Sequence, residues 1–139
     1  MIKILISCGA GMSSSFLCQK LQKACKEAGL ENEYSFDFFP INVAGIADGA
    51  KKVEEYDVTM VCPHLRLWIK ELVEKKSPNK PIYVLPPQMY GTMIFEEVIA
   101  DAEDIIKGFK ESGLNPYHFP GEDQVLKIRR KCAYRNIKK

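Results

Sequence analysis

One cysteine of this chain has neighbours that favour nucleophilic chemistry. Cys8 closely follows Ile2–Ile6, an apolar run typical of a buried parallel strand, and it precedes a loop of small residues and serines. That loop comprises Gly9, Ala10, Gly11, Met12, Ser13, Ser14 and Ser15. A strand, a glycine loop and a helix start together form an anion site, because unpaired N–H groups and the helix dipole favour negative charge. A thiol there ionises readily, so we predict that Cys8 carries a phosphoryl group.

Two features of this loop have a simpler interpretation. Ser13, Ser14 and Ser15 serve either as helix caps or as phosphate ligands, and one hydroxyl can do both. Cys8 itself could be an unreactive thiol buried at the end of a strand. The chemical interpretation therefore depends on what surrounds the loop.

Composition predicts one soluble α/β domain. The 139 residues are 46% apolar and 27% charged, and the apolar runs are of strand length, so we expect a cytoplasmic protein. The five cysteines lack the spacing of a structural zinc site, and we predict neither a metal nor a cofactor. Cys18 and Cys25 lie seven residues apart in the first predicted helix, and we expect both to be buried and inert.

Strand-like and helix-like segments alternate four times along the chain. The first helix is predicted at about residues 14–28, with Gly29 as its stop, and the second at residues 43–50. This order predicts a four-stranded parallel sheet with helices on both faces, a three-layer open sheet of the Rossmann-like or flavodoxin-like kind. The aromatic-rich segment 33–39 is expected at the sheet edge, and the more apolar segment 56–62 at its centre. Ligands of such sheets bind beyond the carboxyl ends of the strands, so loops 8–15, 62–64 and 86–92 should share one site.

Three residues of the later loops are predicted neighbours of Cys8. His64 either lies close enough to contact the thiolate or a partner, or faces solvent at a helix start. Cys62 either lies near Cys8, where a disulfide would block phosphoryl transfer, or points into the core. Tyr90 either closes over the phosphate or packs against Pro87.

Positive charge is concentrated at the C-terminus. Residues 115–139 contain seven Lys and Arg against two Asp and Glu, whereas the rest of the chain is slightly acidic. We predict a folded domain at residues 1–112 and a basic extension at 113–139. A weak helical pattern at about 123–134 has only a thin apolar stripe of Val125, Ile128 and Cys132. The extension is expected to pack loosely or protrude, and no nucleic-acid partner is predicted.

The loop Cys8–Ser15 resembles the active-site loop of IIB components of the lactose/cellobiose class in the bacterial phosphoenolpyruvate-dependent sugar phosphotransferase system. Cys8, Ala10–Ser13 and Ser15 match that pattern. The similarity continues through Ala44-Gly45, Pro78–Pro81 and Tyr90-Gly91 and covers residues 2–109. The chain departs from the family in two places. Cys62-Pro63-His64 stands where Gly-Pro-Gln is usual, and the family commonly ends near residue 110.

This resemblance implies a fold, partners and a reaction. It implies that Cys8 accepts a phosphoryl group from a phosphohistidine on a IIA partner. The group then passes to a sugar held by the membrane-embedded IIC partner, and a disaccharide such as lactose or cellobiose is expected. The chain would be a phosphotransferase located at the inner face of the membrane through IIC.

Two other functions use a similar loop. Low-molecular-weight tyrosine phosphatases also place a nucleophilic cysteine after the first parallel strand, but an arginine follows it by six positions, where this chain has Ser14. That arginine would clamp the phosphoryl oxygens, and without it hydrolysis should be poor, which suits a carrier. A phosphate- or nucleotide-binding module is the other alternative, although the chain lacks both Gly-x-Gly-x-x-Gly and Gly-Lys-Ser/Thr.

Overall fold

A computed structural model describes residues 2–7, 12–39, 45–62, 65–85, 94–115 and 117–119. Strands and helices alternate along these residues, as predicted. In chain order the elements are β1 (Ile2–Ser7), α1 (Met12–Glu27), β2 (Tyr34–Phe38), α2 (Ile46–Glu54), β3 (Val58–Val61), α3 (Arg66–Lys76), β4 (Ile82–Val84) and α4 (Phe95–Ser112).

The four strands form one parallel sheet in the order β2-β1-β3-β4. This confirms the predicted four-stranded α/β sheet, with β2 at an edge and β3 inside. The β1 strand pairs with β2 on one side, where Ile4 lies beside Phe36, and with β3 on the other, where Ser7 lies beside Val61. The direction of strand addition therefore reverses between β1 and β3.

A hydrophobic core lies on each face of the sheet. Because successive side chains of a strand point to opposite faces, Ile4 and Ile6 enter one core and Leu5 enters the other. Helices α1 and α4 cover the first core, which includes Leu21 and Ile105. Helices α2 and α3 cover the second, and the predicted three-layer arrangement is confirmed.

Helix boundaries differ from the predicted ones by a few residues. Helix α1 begins at Met12, two residues before the predicted start, and helix α2 covers Ile46–Glu54, although residues 43–50 were predicted. Gly45 precedes α2 with a φ of 97°, a backbone conformation that glycine adopts without a steric penalty. The left-handed Gly29, with a φ of 74°, follows α1 at the position predicted for its stop.

The start of the predicted C-terminal extension packs on the edge of β4. The Tyr117 N–H donates to the Ile82 carbonyl at 2.8 Å, and the Ile82 N–H donates to Asn115 Oδ1 at 3.0 Å. Phe119 is 3% exposed and meets the Tyr83 ring at a centroid distance of 5.6 Å. Residues 117–119 are therefore held by the sheet instead of packing loosely, whereas residues 120–139 lie outside the described part of the chain.

Candidate functional site

The carboxyl ends of β1 and β3 are joined at the point where the strand order reverses. The Cys62 N–H donates to the Ser7 carbonyl at 3.1 Å, and the Leu85 N–H donates to the Val61 carbonyl at 2.9 Å. Ser7 and Cys62 are each 1% exposed, so water does not compete for the hydrogen bond between them. Open parallel sheets bind their ligands at this reversal point. Cys8 is the residue that directly follows Ser7.

Helix α1 supplies unpaired backbone donors close to this edge in the sequence. The first four N–H groups of a helix have no acceptor within it, and in α1 these belong to Met12, Ser13, Ser14 and Ser15. The three serines therefore lie in the first turn of α1. These four N–H groups, together with the helix dipole, favour an anion at the start of α1.

Several predicted site residues lie outside the described part of the chain. They are Cys8, Gly9, Ala10, Gly11, His64 and Tyr90. Cys62 is described, and its buried side chain belongs to the core between the sheet and helices α2 and α3. Of the two predicted positions for Cys62, the structure therefore supports the core. Its contribution to the strand ends is the backbone hydrogen bond to Ser7.

The two cysteines of α1 are poor nucleophiles, as predicted. Cys18 and Cys25 are each 3% exposed. Burial raises the pKa of the Cys18 thiol from 9.0 to about 11, and the nearby Asp37 carboxylate adds to this effect. Burial also raises the pKa of the Cys25 thiol, with smaller contributions from Glu31 and Glu33. Because the thiolate is the reactive form, neither residue is suited to phosphoryl transfer near neutral pH.

Exposed apolar side chains surround the carboxyl edge of the sheet. Among the described residues, the large apolar side chains with substantial exposure are Phe38, Leu67, Ile94 and Leu114. Phe38 ends β2, Leu67 lies in the first turn of α3, and Ile94 directly precedes α4. These three positions share the edge where parallel strands end and the following helices begin. Leu114 follows the other end of α4.

A cleft beside β2 was not predicted from the sequence. It has a volume of about 480 Å³, and its lining residues are Cys18, Gln19, Gln22, Asp37, Phe38 and Tyr56. These residues come from α1, from β2 and from the turn before β3, so no local sequence pattern links them. The only sequence signal was the polar and aromatic character of β2 itself.

Two further properties concern metals and membranes. The part of the chain that the structure describes contains no cluster of three or more His, Cys, Asp or Glu side chains that could hold a metal ion. Within the same residues, no helix has the length and apolar character needed to cross a membrane.

Together, the strand order and the flanking helices define an open parallel α/β domain whose strand order reverses between β1 and β3. The sequence model described as "PTS system, Lactose/Cellobiose specific IIB subunit" matches residues 3–101. The chain therefore belongs to the lactose/cellobiose-specific IIB family of the sugar phosphotransferase system, as the resemblance predicted. It is a phosphocarrier and a phosphotransferase of sugar uptake.

Similar proteins include two from Lactococcus lactis. The galactose-specific EIIB component of subsp. cremoris strain MG1363 is 31% identical over 109 residues, and the cellobiose-specific EIIB component of subsp. lactis strain IL1403 is 30% identical over 109 residues. Each alignment covers 74% of this chain and 94% of the relative. A solved lactose-specific IIB domain from Streptococcus pneumoniae superimposes with a TM-score of 0.48 at 12% identity, covering 79% of this chain and 95% of that one.

Proposed function

We propose that Cys8 accepts a phosphoryl group from a phosphohistidine of a IIA protein and passes it to a sugar bound by a membrane IIC protein. The observation that carries this proposal is the arrangement around the sequence position of Cys8. Strand β1 ends at Ser7, the residue before it, and a hydrogen bond to Cys62 fixes that end at the reversal point of the sheet. Helix α1 begins four residues after Cys8 and offers unpaired N–H groups to an anion.

The three cysteines that the structure describes are poorly placed to attack phosphorus, which favours Cys8 as the nucleophile. Cys18, Cys25 and Cys62 are all buried, and burial raises the pKa of the first two thiols. Each would have to expose itself and lose a proton before it could attack phosphorus. Cys8 is next to the start of α1 in the sequence, and a helix N-terminus lowers the pKa of a thiol held against it.

Two displacements at phosphorus account for the transfer. The Cys8 thiolate attacks the phosphohistidine, a sulfur–phosphorus bond forms, and the nitrogen–phosphorus bond breaks with its electron pair retained by the imidazole. The imidazole then takes up a proton, which balances the proton lost by the thiol. In the second step a sugar hydroxyl oxygen attacks phosphorus and gives its proton to solvent or a base, and Cys8 leaves as the thiolate.

Both protein partners would approach the carboxyl edge of the sheet. Phe38, Leu67 and Ile94 would supply apolar contact area there. One surface would serve IIA and IIC in turn, because the same Cys8 must meet both. Binding to IIC would hold the chain at the inner face of the membrane.

The sugar is proposed from the relatives. One is named for galactose and the other for cellobiose, so the expected substrates are galactose or a disaccharide such as cellobiose or lactose. The sugar would be bound by IIC, and this chain would deliver only the phosphoryl group.

Intact-mass analysis tests the proposal. The chain is incubated with phosphoenolpyruvate, the general phosphotransferase proteins and a IIA protein, and one added phosphoryl group is expected. Cys8→Ser should remain folded but unphosphorylated, because a serine hydroxyl does not ionise near neutral pH. Cys25→Ala is the matched control, and it should still be phosphorylated. Phosphorylation of Cys8→Ser to the level of the unmodified chain would refute the assignment.

A further inference from the structure

We propose that the cleft beside β2 binds the guanidinium group of an arginine presented by a partner protein. The cleft lies between α1, the edge strand β2 and Tyr56, and its volume is about 480 Å³. It is separate from the proposed role of Cys8, because its polar groups disfavour an anion. Only the identity of the partner rests on the proposed function, in which IIA and IIC dock on the neighbouring edge.

Internal hydrogen bonds leave the cleft rich in acceptors. The Gln22 side-chain amide donates from Nε2 to the Phe36 carbonyl, so its oxygen is directed away from that carbonyl. The Tyr56 hydroxyl donates to the Asp37 carboxylate, so its oxygen can only accept a further bond. The carboxylate of Asp37 is itself an acceptor. Oxygen lone pairs of Gln22, Tyr56 and Asp37 are therefore available to a ligand, beside the second N–H of the Gln22 amide.

Asp37 gives the cleft a negative charge. No described residue forms an ion pair with Asp37. The Asp37 carboxylate adds to the effect of burial in raising the pKa of Cys18 and of Tyr56. Lys52 lies over the Tyr56 ring at 5.6 Å from its centroid and pairs with Glu55 at 3.5 Å. Lys52 therefore has a carboxylate partner, whereas no described cation pairs with Asp37.

An arginine side chain matches this lining better than other ligands. A guanidinium carries five N–H donors and no acceptor, and it pairs with a carboxylate in a forked geometry. The Phe38 ring is 40% exposed at the cleft and offers a flat surface for a planar cation. A phosphate would be repelled by Asp37, and a neutral sugar could donate hydrogen bonds to Asp37 but would not neutralise its charge.

An NMR titration tests the proposal with the full-length chain. The probe is N-acetyl-arginine N-methylamide, and the comparison compound is the corresponding citrulline derivative, which has the same shape but no charge. The arginine probe should shift the backbone amides of Asp37, Phe38 and Gln22 in a saturable way, and the citrulline probe should not. Equal shifts with both probes, or shifts only at distant residues, would overturn the proposal.

Variants separate the charge from the shape of the cleft. Asp37→Asn keeps the size of the side chain and should abolish the saturable shifts, while its melting temperature shows that the fold is retained. Glu74→Gln removes an exposed carboxylate of α3 and should leave binding unchanged. If Asp37→Asn binds the probe as well as the unmodified chain does, the cleft is not a guanidinium site.

One more variant distinguishes an external arginine from the chain's own basic residues. Arg129→Gln, Arg130→Gln and Lys131→Gln are combined in one chain. The amide signals of Asp37 and Phe38 in the absence of probe should match those of the unmodified chain. If they move to new positions, the cleft is filled by the C-terminal segment, and the proposal of a partner's arginine fails. These measurements need no phosphoryl transfer, so their failure leaves the proposed role of Cys8 untouched.

Discussion

Phe119→Ala should destabilise the domain strongly, although residue 119 lies beyond the end of the matched family region. Its side chain is 3% exposed within the core that α1 and α4 cover. It forms edge-to-face contacts with Tyr83 at 5.6 Å and with Tyr117 at 5.4 Å. Truncating a buried phenylalanine costs about 3–5 kcal/mol. Each lost aromatic pair contributes about 0.5–1.5 kcal/mol of stability beyond area burial.

The lower part of that range is the better estimate for Phe119. The residue packs beside β4, the edge strand of the sheet, where neighbouring side chains can relax into part of the cavity. A loss of about 3 kcal/mol is expected, which for a domain of this length lowers the melting temperature by about 10 °C. Thermal unfolding followed by circular dichroism and urea denaturation both measure this change.

Two further variants make the test specific. Leu114→Ala removes an apolar side chain of the same segment that is 40% exposed, and it should change stability by less than about 1 kcal/mol. Gly108→Ala tests the same contact from the side of α4, because a Cβ at residue 108 would overlap the Tyr117 hydroxyl and ring. This variant should lower the free energy of unfolding by about 1–3 kcal/mol. If Phe119→Ala melts within the error of Leu114→Ala, then residues 117–119 do not belong to the core. Truncation after Ser112 would then be tolerated, as a domain boundary at that residue predicts.

Three other outcomes follow from individual residues. The chain should not turn over p-nitrophenyl phosphate above background, because Ser14 stands where a phosphatase has its arginine; turnover that Cys8→Ala abolishes would favour a hydrolase instead. Thr59→Val should raise the melting temperature, because the buried Thr59 hydroxyl has no hydrogen-bond partner among the described residues, and removing it is worth about 1–2 kcal/mol. A lower melting temperature would show that this hydroxyl is paired. Stability should fall at alkaline pH, because the pKa of Cys18 rises from 9.0 to about 11 and that of Tyr56 from 10.0 to about 12, mainly through burial. The protonated forms of both groups contribute fully to stability below pH 9, and this contribution is lost as the pH rises from 9 to 12. Between pH 9 and 12, the melting temperature of a Cys18→Ala, Tyr56→Phe double variant should therefore fall less steeply than that of the unmodified chain.

Local sequence patterns were sufficient to predict the architecture. The alternation of apolar runs and helical periodicity predicted eight elements in the observed order, since each pattern depends on neighbours a few residues apart. The polar and aromatic character of residues 33–39 indicated an edge strand, and β2 is one. The spacing of Cys18 and Cys25 indicated buried thiols, and both are buried. The glycine and serine loop after β1 carries the pattern of the family in the sequence alone.

Contacts between distant parts of the chain were decided only by the tertiary structure. Cys62 could have faced the site or the core, and the register of β3 against β1 places it in the core. Tyr117 and Phe119 belong to a segment whose sequence indicated only an irregular basic extension, yet this segment docks on β4. The contact joins distant parts of the chain, since Asn115 accepts a hydrogen bond from Ile82, 33 residues before it. The acceptor-rich cleft joins α1, β2 and Tyr56. Sequence patterns report the periodicity of one element at a time, whereas these three features depend on which side chains meet after the sheet has assembled.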